Sequence, residues 1–85
     1  MKHRALLIRL SRGHVQNVPF RDFCALVEAF GFRRMRVEGS HHVFVHPGVP
    51  RPVNLQPRGH DAKPYQVRQF LRVVQRYNVQ LREEP

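Results

Sequence analysis

The sequence predicts a small α+β fold in which two helices cover one face of a three-stranded antiparallel sheet, with an extra helix at the N-terminus. Apolar residues recur at helical spacing in two segments, residues 19–30 and 65–77. Between them, short extended runs follow one another with turns and no helix, a pattern typical of an antiparallel meander. The 85 residues suffice for one core, so we expect a single domain over residues 1–85.

The first predicted element is a short helix over residues 2–12. Leu6, Leu7 and Leu10 fall on one helical arc, and Gly13 is suited to end the helix. A basic amphipathic arm that binds a membrane surface is the alternative. The apolar arc is only a few residues long, so we expect no membrane partner.

The second predicted helix covers residues 19–30. Pro19 suits its first turn, and Gly31 suits the position that follows its last residue. Cys24 lies beside the apolar stripe, which predicts a packed thiol rather than a nucleophile. The stripe consists of Phe20, Phe23, Val27 and Phe30.

Three short strands are predicted at residues 32–38, 42–46 and 52–56. Alternation in the first places Arg34 and Arg36 on one face, opposite Met35 and Val37. In the third, Val53 and Leu55 share one face.

The face of the second strand that meets the core stays open at this level. Val43 and Val45 compete with Phe44 for the core, and that choice decides where His41 points.

The turns between the strands are marked by their composition. Gly39-Ser40 separates the first two strands, and residues 47–50 contain Gly and two prolines. Residues 57–63 read as a polar loop.

The last predicted helix runs over residues 65–77, with Pro64 in its first turn. Like charges on its outer face are mildly destabilising, so a polyanionic ligand explains them better than helix stability does. We expect the tail, residues 83–85, to fray. The core face holds Val67, Phe70, Leu71, Val74 and Tyr77, and the outer face holds Tyr65, Arg68, Arg72 and Arg76.

The composition predicts a polyanionic partner. The formal net charge is +9, and thirteen of the fifteen Lys and Arg residues are Arg, which binds phosphate in a bidentate manner and stacks on bases. A charge of this size on so short a chain favours nucleic acid over a merely solvated basic surface. The single cysteine excludes an internal disulfide. We see no signal peptide or membrane span and expect a cytoplasmic protein.

The segment Gly39-Ser40-His41-His42 carries the candidate chemistry. One imidazole can move a proton near neutral pH, and RNA supplies its own nucleophile, the 2′-hydroxyl. Adjacent strand residues point to opposite faces, so we expect only one of His41 and His42 to face a substrate. His42 and His46 would lie about 13 Å apart on a strand, too far to share an ion. We therefore expect no metal site and no cofactor.

The order α-β-β-β-α that follows the N-terminal helix is that of the double-stranded-RNA-binding domain. From residue 20 to residue 77 the chain resembles the HicA family of type II toxin–antitoxin mRNA interferases. The resemblance is carried by Ala29-Phe30-Gly31-Phe32, Gly39-Ser40-His41-His42-Val43-Phe44, His46-Pro47, Val53-Asn54-Leu55-Gln56 and the segment from Ala62 to Leu71.

The resemblance implies a core over residues 19–78 with the double-stranded-RNA-binding-domain-like fold, which cleaves messenger RNA and stops growth; the residues themselves favour a metal-independent reaction. It also implies a HicB-type antitoxin that covers the active site. The family's catalytic histidine maps onto His41, and Gly39 and Ser40 would shape the turn that presents it. His42 would be a second proton carrier, a phosphate donor or a packed residue, and the last two roles are favoured. Many members carry Pro-x-His-x after the third strand where this chain reads Pro57-Arg58-Gly59-His60-Asp61, so the role of His60 stays open.

Further candidates for RNA contact come from the basic and aromatic residues. Tyr65 would stack on a base or cap the core edge. The rival interpretations are a non-catalytic RNA- or DNA-binding module of the same fold and an interaction domain for an acidic protein. The oligomeric state is not predicted. The candidate contacts are Arg34, Arg36, His42, Arg58, His60, Lys63, Tyr65, Arg68 and Arg72.

Overall fold

Two helices pack against one face of an antiparallel sheet, as the sequence predicts. The computed structural model describes residues 2–82, so the expected fraying of residues 83–85 lies outside the described residues. Each predicted helix and strand has its counterpart, with bounds that differ by one or two residues. The elements are α1 Lys2–Ser11, α2 Phe20–Ala29, β1 Arg33–Glu38, β2 His41–Val45, β3 Val53–Leu55, β4 Pro57–Arg58, β5 Asp61–Ala62 and α3 Pro64–Arg76.

The three-stranded sheet has the order β1-β2-β3, with both pairs antiparallel. Glu38 pairs with His41 across a two-residue turn. Gly39, the first residue of that turn, has a φ of +59°. A glycine with positive φ at this position is the mark of a type II′ hairpin turn, whose twist suits the flanking strands. The turn therefore fixes where β2 begins.

The core lies between the helices and one face of this sheet. The ring of Phe70 in α3 packs edge-on against Phe23, Phe30 and Phe32, with centroid separations of 5.6, 5.4 and 5.4 Å. Such aromatic pairs add to the stabilisation that burial alone provides. Phe44 and Leu55 contribute the buried residues of β2 and β3. Together these contacts join α2, α3 and the sheet into one apolar cluster.

Cys24 belongs to this cluster, as predicted. The thiol is buried. Burial, with a smaller contribution from Glu28, raises its pKa to about 11, although Arg34 acts in the opposite direction. The thiol is therefore protonated at neutral pH and is not a nucleophile.

The prediction that Arg34 and Arg36 share one face of β1 is wrong. Arg34 lies opposite Phe44 and Arg36 opposite Val43, because the register shifts between them. Neighbouring residues of β2 face opposite sides, so the bulge at Met35 sends the two arginines to different faces. The Arg34 guanidinium lies 5.2 Å from the centre of the Phe44 ring.

Residues 57–63 are not the polar loop that the composition predicts. They form a second small hairpin, β4 paired with β5. Gly59 has a φ of +62° in its turn. The hairpin is tied to the start of α2, because the Phe20 N–H donates to the His60 carbonyl at 2.8 Å and the Ala62 N–H donates to the Val18 carbonyl at 2.8 Å. Its backbone hydrogen bonds fix a segment whose side chains alone suggest a loop.

Substitution of Phe44 tests which face of β2 is buried. Phe44 is 0% exposed, so we expect Phe44→Ala to lower the free energy of unfolding by about 3–5 kcal/mol. Met35, in the neighbouring strand, is 55% exposed, so Met35→Ala should stay within about 0.5 kcal/mol of the wild type. Urea unfolding of the two variants measures both values. Equal losses would contradict the burial of Phe44.

Candidate active site

The burial of Phe44 settles the orientation of the two adjacent histidines. Side chains alternate along a strand, so His42 lies on the helix-covered face with Phe44, and His41 lies on the opposite, open face. His41 is exposed and His42 is half-buried. The sequence leaves open which face of β2 meets the core. That face is the one that carries Phe44, and His41 is therefore the histidine that is exposed to solvent.

His42 is packed into the fold. Its ring lies edge-on to Phe20, with the centroids 4.9 Å apart. Its Nδ1 is buried and has no hydrogen-bond partner. Burial first, and the charge of Arg34 second, lower the pKa of His42. The ring is thus held neutral at neutral pH, which fits the packed alternative better than the phosphate donor.

His41 has a partner that the sequence does not single out. Its Nδ1 lies 3.3 Å from Oδ1 of Asn54. Asn54 lies opposite Val43, on the same open face as His41. An amide oxygen only accepts hydrogen bonds, so a hydrogen bond between these two atoms requires the proton on Nδ1. In a neutral ring with that proton, Nε2 carries the free lone pair.

A polar network joins the Gly39-Ser40 turn to the start of α3. Gln56 is its centre: its Nε2 donates to Ser40 Oγ at 3.0 Å, and its Oε1 accepts from Lys63 Nζ at 3.0 Å. The Gln56 backbone N–H donates to Oε1 of the buried Gln66 at 2.9 Å. The network places the ammonium group of Lys63 near the turn that presents His41. The sequence does not predict either glutamine as a site residue.

The remaining candidates are spread over several surfaces. Arg36 lies on the open face and pairs with Glu38 at 3.7 Å, whereas Arg34 lies on the other face over Phe44. Arg58 and His60 are exposed at the β4–β5 turn.

The outer face of α3 has the exposure that the sequence predicts. Arg68 and Arg72 are exposed, and Tyr65 is 50% exposed. The Tyr65 hydroxyl accepts a hydrogen bond from Gln66 Nε2 at 3.4 Å. Half of the Tyr65 surface is therefore open to a ligand at the beginning of the helix.

His46 belongs to the fold. Its Nδ1 accepts the Gly48 N–H at 2.9 Å, and its ring lies 5.0 Å from that of Phe32. Across residues 2–82, no three side chains of His, Cys, Asp or Glu are grouped so that they could hold a metal ion.

A family model described as "HicA toxin of bacterial toxin-antitoxin" matches residues 20–75, more than half of the chain. The chain belongs to the HicA toxin family. The match extends from the start of α2 into α3 and confirms the resemblance inferred from the sequence. A HicA protein is the toxin of a bacterial toxin–antitoxin system, so membership also implies an antitoxin partner.

The other comparisons add no relatives to this HicA chain. Neither the curated proteins nor the solved structures contain a match. Within residues 2–82, no helix combines the length and apolar character needed to cross a membrane.

The packing of His42 predicts a pH dependence of stability for this HicA protein. The pKa of His42 is lowered from 6.5 in the folded state, so the unfolded state binds more protons in mild acid. The free energy of unfolding therefore decreases as the pH falls. We expect the unfolding free energy to fall less between about pH 7.5 and about pH 5.5 in His42→Phe than in the wild type. Urea unfolding at the two pH values measures the difference. Parallel losses would contradict a suppressed His42 pKa.

Proposed function

We propose that this HicA protein is a metal-independent endoribonuclease that cleaves messenger RNA, and that His41 moves the proton. The observation that carries the proposal is the contact of His41 Nδ1 with Asn54 Oδ1 at 3.3 Å on the open face of the sheet. It leaves Nε2 as the reactive nitrogen of an exposed imidazole, and the surrounding protein has a net charge of +9.

The proposed reaction uses the 2′-hydroxyl of RNA as the nucleophile. A bond forms between O2′ and the adjacent phosphorus, and the bond from phosphorus to O5′ breaks. One proton leaves O2′ and one is added to O5′, giving a 2′,3′-cyclic phosphate and a 5′-hydroxyl end. His41 Nε2 accepts the first proton, or the imidazolium supplies the second. Such proton transfer contributes about 10²- to 10⁴-fold to the rate.

Charge on the phosphate is stabilised by cations close to the same turn. Gln56 holds the Lys63 ammonium group at 3.0 Å and also bonds Ser40. Arg36 shares the open face with His41. Cations placed in advance where negative charge develops lower the barrier without reorganisation. We assign Lys63 and Arg36 to this role, and Gly39 and Ser40 to the turn that presents His41.

The other residues predicted to contact RNA would bind the RNA strand away from the reacting phosphate. We propose that these residues bind its phosphates or stack on its bases. We also propose that the protein acts in the cytoplasm, where messenger RNA is found. The residues are Arg34, Arg58, His60, Tyr65, Arg68 and Arg72.

We also propose that a HicB-type antitoxin covers the open face of the sheet. His41, Arg36 and Asn54 lie on that face. A partner that lies over them would exclude RNA from the imidazole and silence the toxin.

Cleavage of end-labelled RNA in excess EDTA tests the proposed function. We expect the wild type to cut and to leave 5′-hydroxyl ends, and His41→Ala to lose about 10²- to 10⁴-fold of the rate. His14→Ala is the matched control, because His14 is exposed and lies outside the family match, and it should cut like the wild type. Tight RNA binding without cutting by any of the three proteins would favour the non-catalytic binding module instead.

Substitution of Asn54 tests whether it positions His41. In Asn54→Ala the ring loses its acceptor, so we expect kcat to fall by between about ten- and a hundredfold while KM changes little. Asn54→Asp keeps an acceptor at this position and should retain more activity than Asn54→Ala. Steady-state kinetics on a short RNA measures the split. An Asn54→Ala enzyme with wild-type kcat would exclude the positioning role.

A further inference from the structure

An open groove runs between α3 and the chain around β3. One wall is the segment that leads into β3 with the strand itself, and the other wall is the side of α3. Three arginines line it: Arg51 on the first wall, and Arg72 and Arg76 on the second. None of the lining residues within residues 2–82 is acidic. The groove is therefore strongly positive, which suits a polyanion.

The lining also offers apolar surface between the charges. Pro50 and Pro52 contribute saturated rings, and Tyr77 contributes an aromatic ring. The Arg76 guanidinium lies 5.4 Å from the centre of the Tyr77 ring. A positive groove with an aromatic ring on which a base can stack is typical of proteins that bind single-stranded nucleic acid. A duplex keeps its base faces stacked inside and cannot use such a ring.

The spacing of the α3 arginines suits a strand of phosphates. Arg72 and Arg76 are four residues apart on one helix face, an advance of about 6 Å along the axis. Two guanidinium groups one turn apart can each take one phosphate of an extended strand. Like charges four residues apart are unfavourable in an isolated helix. Bound phosphates would offset the repulsion between these two arginines.

A peptide strand is a poorer occupant of this groove. β3 is an edge strand of the sheet, and edge strands can pair with a strand from another chain. Pro50 and Pro52, which precede β3 on the same wall, have no N–H to donate to such a strand. A peptide strand would therefore find few backbone donors on this wall. The charged side chains are the main groups that can bind a ligand there.

The groove also leads to the candidate active site. Asn54 is one of its lining residues, and the Asn54 side chain contacts His41. We propose that the groove binds the single-stranded RNA that continues from the scissile phosphate, with phosphates on Arg51, Arg72 and Arg76. This inference rests on the proposed function and adds a second site to it. The sequence does not single out Arg51, and it indicates Arg76 only as part of the charged row on the last helix.

Binding of a labelled single-stranded RNA to proteins that carry His41→Ala, and so cannot cut it, tests the groove. With an RNA of about 12 nucleotides, the triple variant Arg51→Gln, Arg72→Gln, Arg76→Gln should bind at least about tenfold more weakly. Its slope of log K against log salt should become shallower by about 2, since each single-strand phosphate contact contributes about 0.7.

Arg12→Gln is the matched control for one lost charge, because Arg12 is exposed and does not line the groove. Its slope should equal that of the parent protein, whereas each single groove variant should lose about 0.7. Circular dichroism checks that all variants are folded. A triple variant that binds RNA with the parent affinity and salt slope would overturn the proposal. Unchanged RNA binding together with lost binding to an acidic protein would assign the groove to a protein partner and also overturn it.

A cleavage experiment separates this inference from the proposed function. A dinucleoside monophosphate offers one scissile phosphate and is too short to occupy the groove. With His41 intact, the Arg51→Gln and Arg76→Gln variants should cut it like the wild type, while their KM for the longer RNA rises. A wild type that cuts neither substrate would contradict the proposed function and leave the binding result to decide the groove. Equal KM values for the longer RNA in the triple variant and the wild type would contradict the groove.

Discussion

The burial of one side chain, Phe44, is the constraint on which the site depends. Phe44 is 0% exposed and is the one residue of β2 that is fully buried. Side chains alternate along a strand with a period of two, so a slip of one residue would reverse every side chain of β2. His41 would then turn towards the helices and His42 towards solvent. The apolar core thereby selects which of two adjacent histidines is exposed to solvent.

The rest of the site follows from the neighbours of β2. The tight turn at Gly39 and Ser40 fixes where the strand starts, and the pairing with β3 brings Asn54 to His41. Gln56 then links the turn to Lys63 at the beginning of α3. The helices occupy one face of the sheet and supply its stability. The other face carries His41 and Asn54 beside Val43, so the proposed chemistry lies apart from the helix-covered core.

His42 shows the cost of this separation. A polar ring on the helix-covered face leaves its Nδ1 buried without a partner, and an unsatisfied buried group is destabilising by about 1–3 kcal/mol. The contact with Phe20 offsets part of this cost. The proposed reaction does not require His42. Because the His42 ring is neutral, it brings no positive charge into the core.

The sequence predicts those elements whose apolar pattern extends over many residues. Apolar spacing over ten or more residues places α2 and α3, and Gly39 with Ser40 places the turn before His41. The β4–β5 hairpin is missed because strands of two residues have no period to detect. The bulge at Met35 is missed because it depends on how β1 pairs with β2.

The partners of the candidate residues are harder to predict than the residues themselves. His41 follows from a local segment and from the resemblance to HicA toxins. Asn54 does not, because it lies thirteen residues from His41 in sequence and their contact depends on the register between β2 and β3. Gln56 and Lys63 are likewise joined only by the fold. The resemblance contained Asn54 and Gln56 within a matched segment but gave neither a role.

The tautomer of His41 tests the central claim most directly. The account requires a proton on Nδ1, donated to Asn54, and a free lone pair on Nε2. Nitrogen-15 NMR of the imidazole in the neutral state distinguishes the two nitrogens. We predict that His41 of the wild type is mainly the Nδ1–H form and that Asn54→Ala shifts it towards Nε2–H. A wild-type His41 that is mainly Nε2–H, with the same spectrum in Asn54→Ala, would contradict the account.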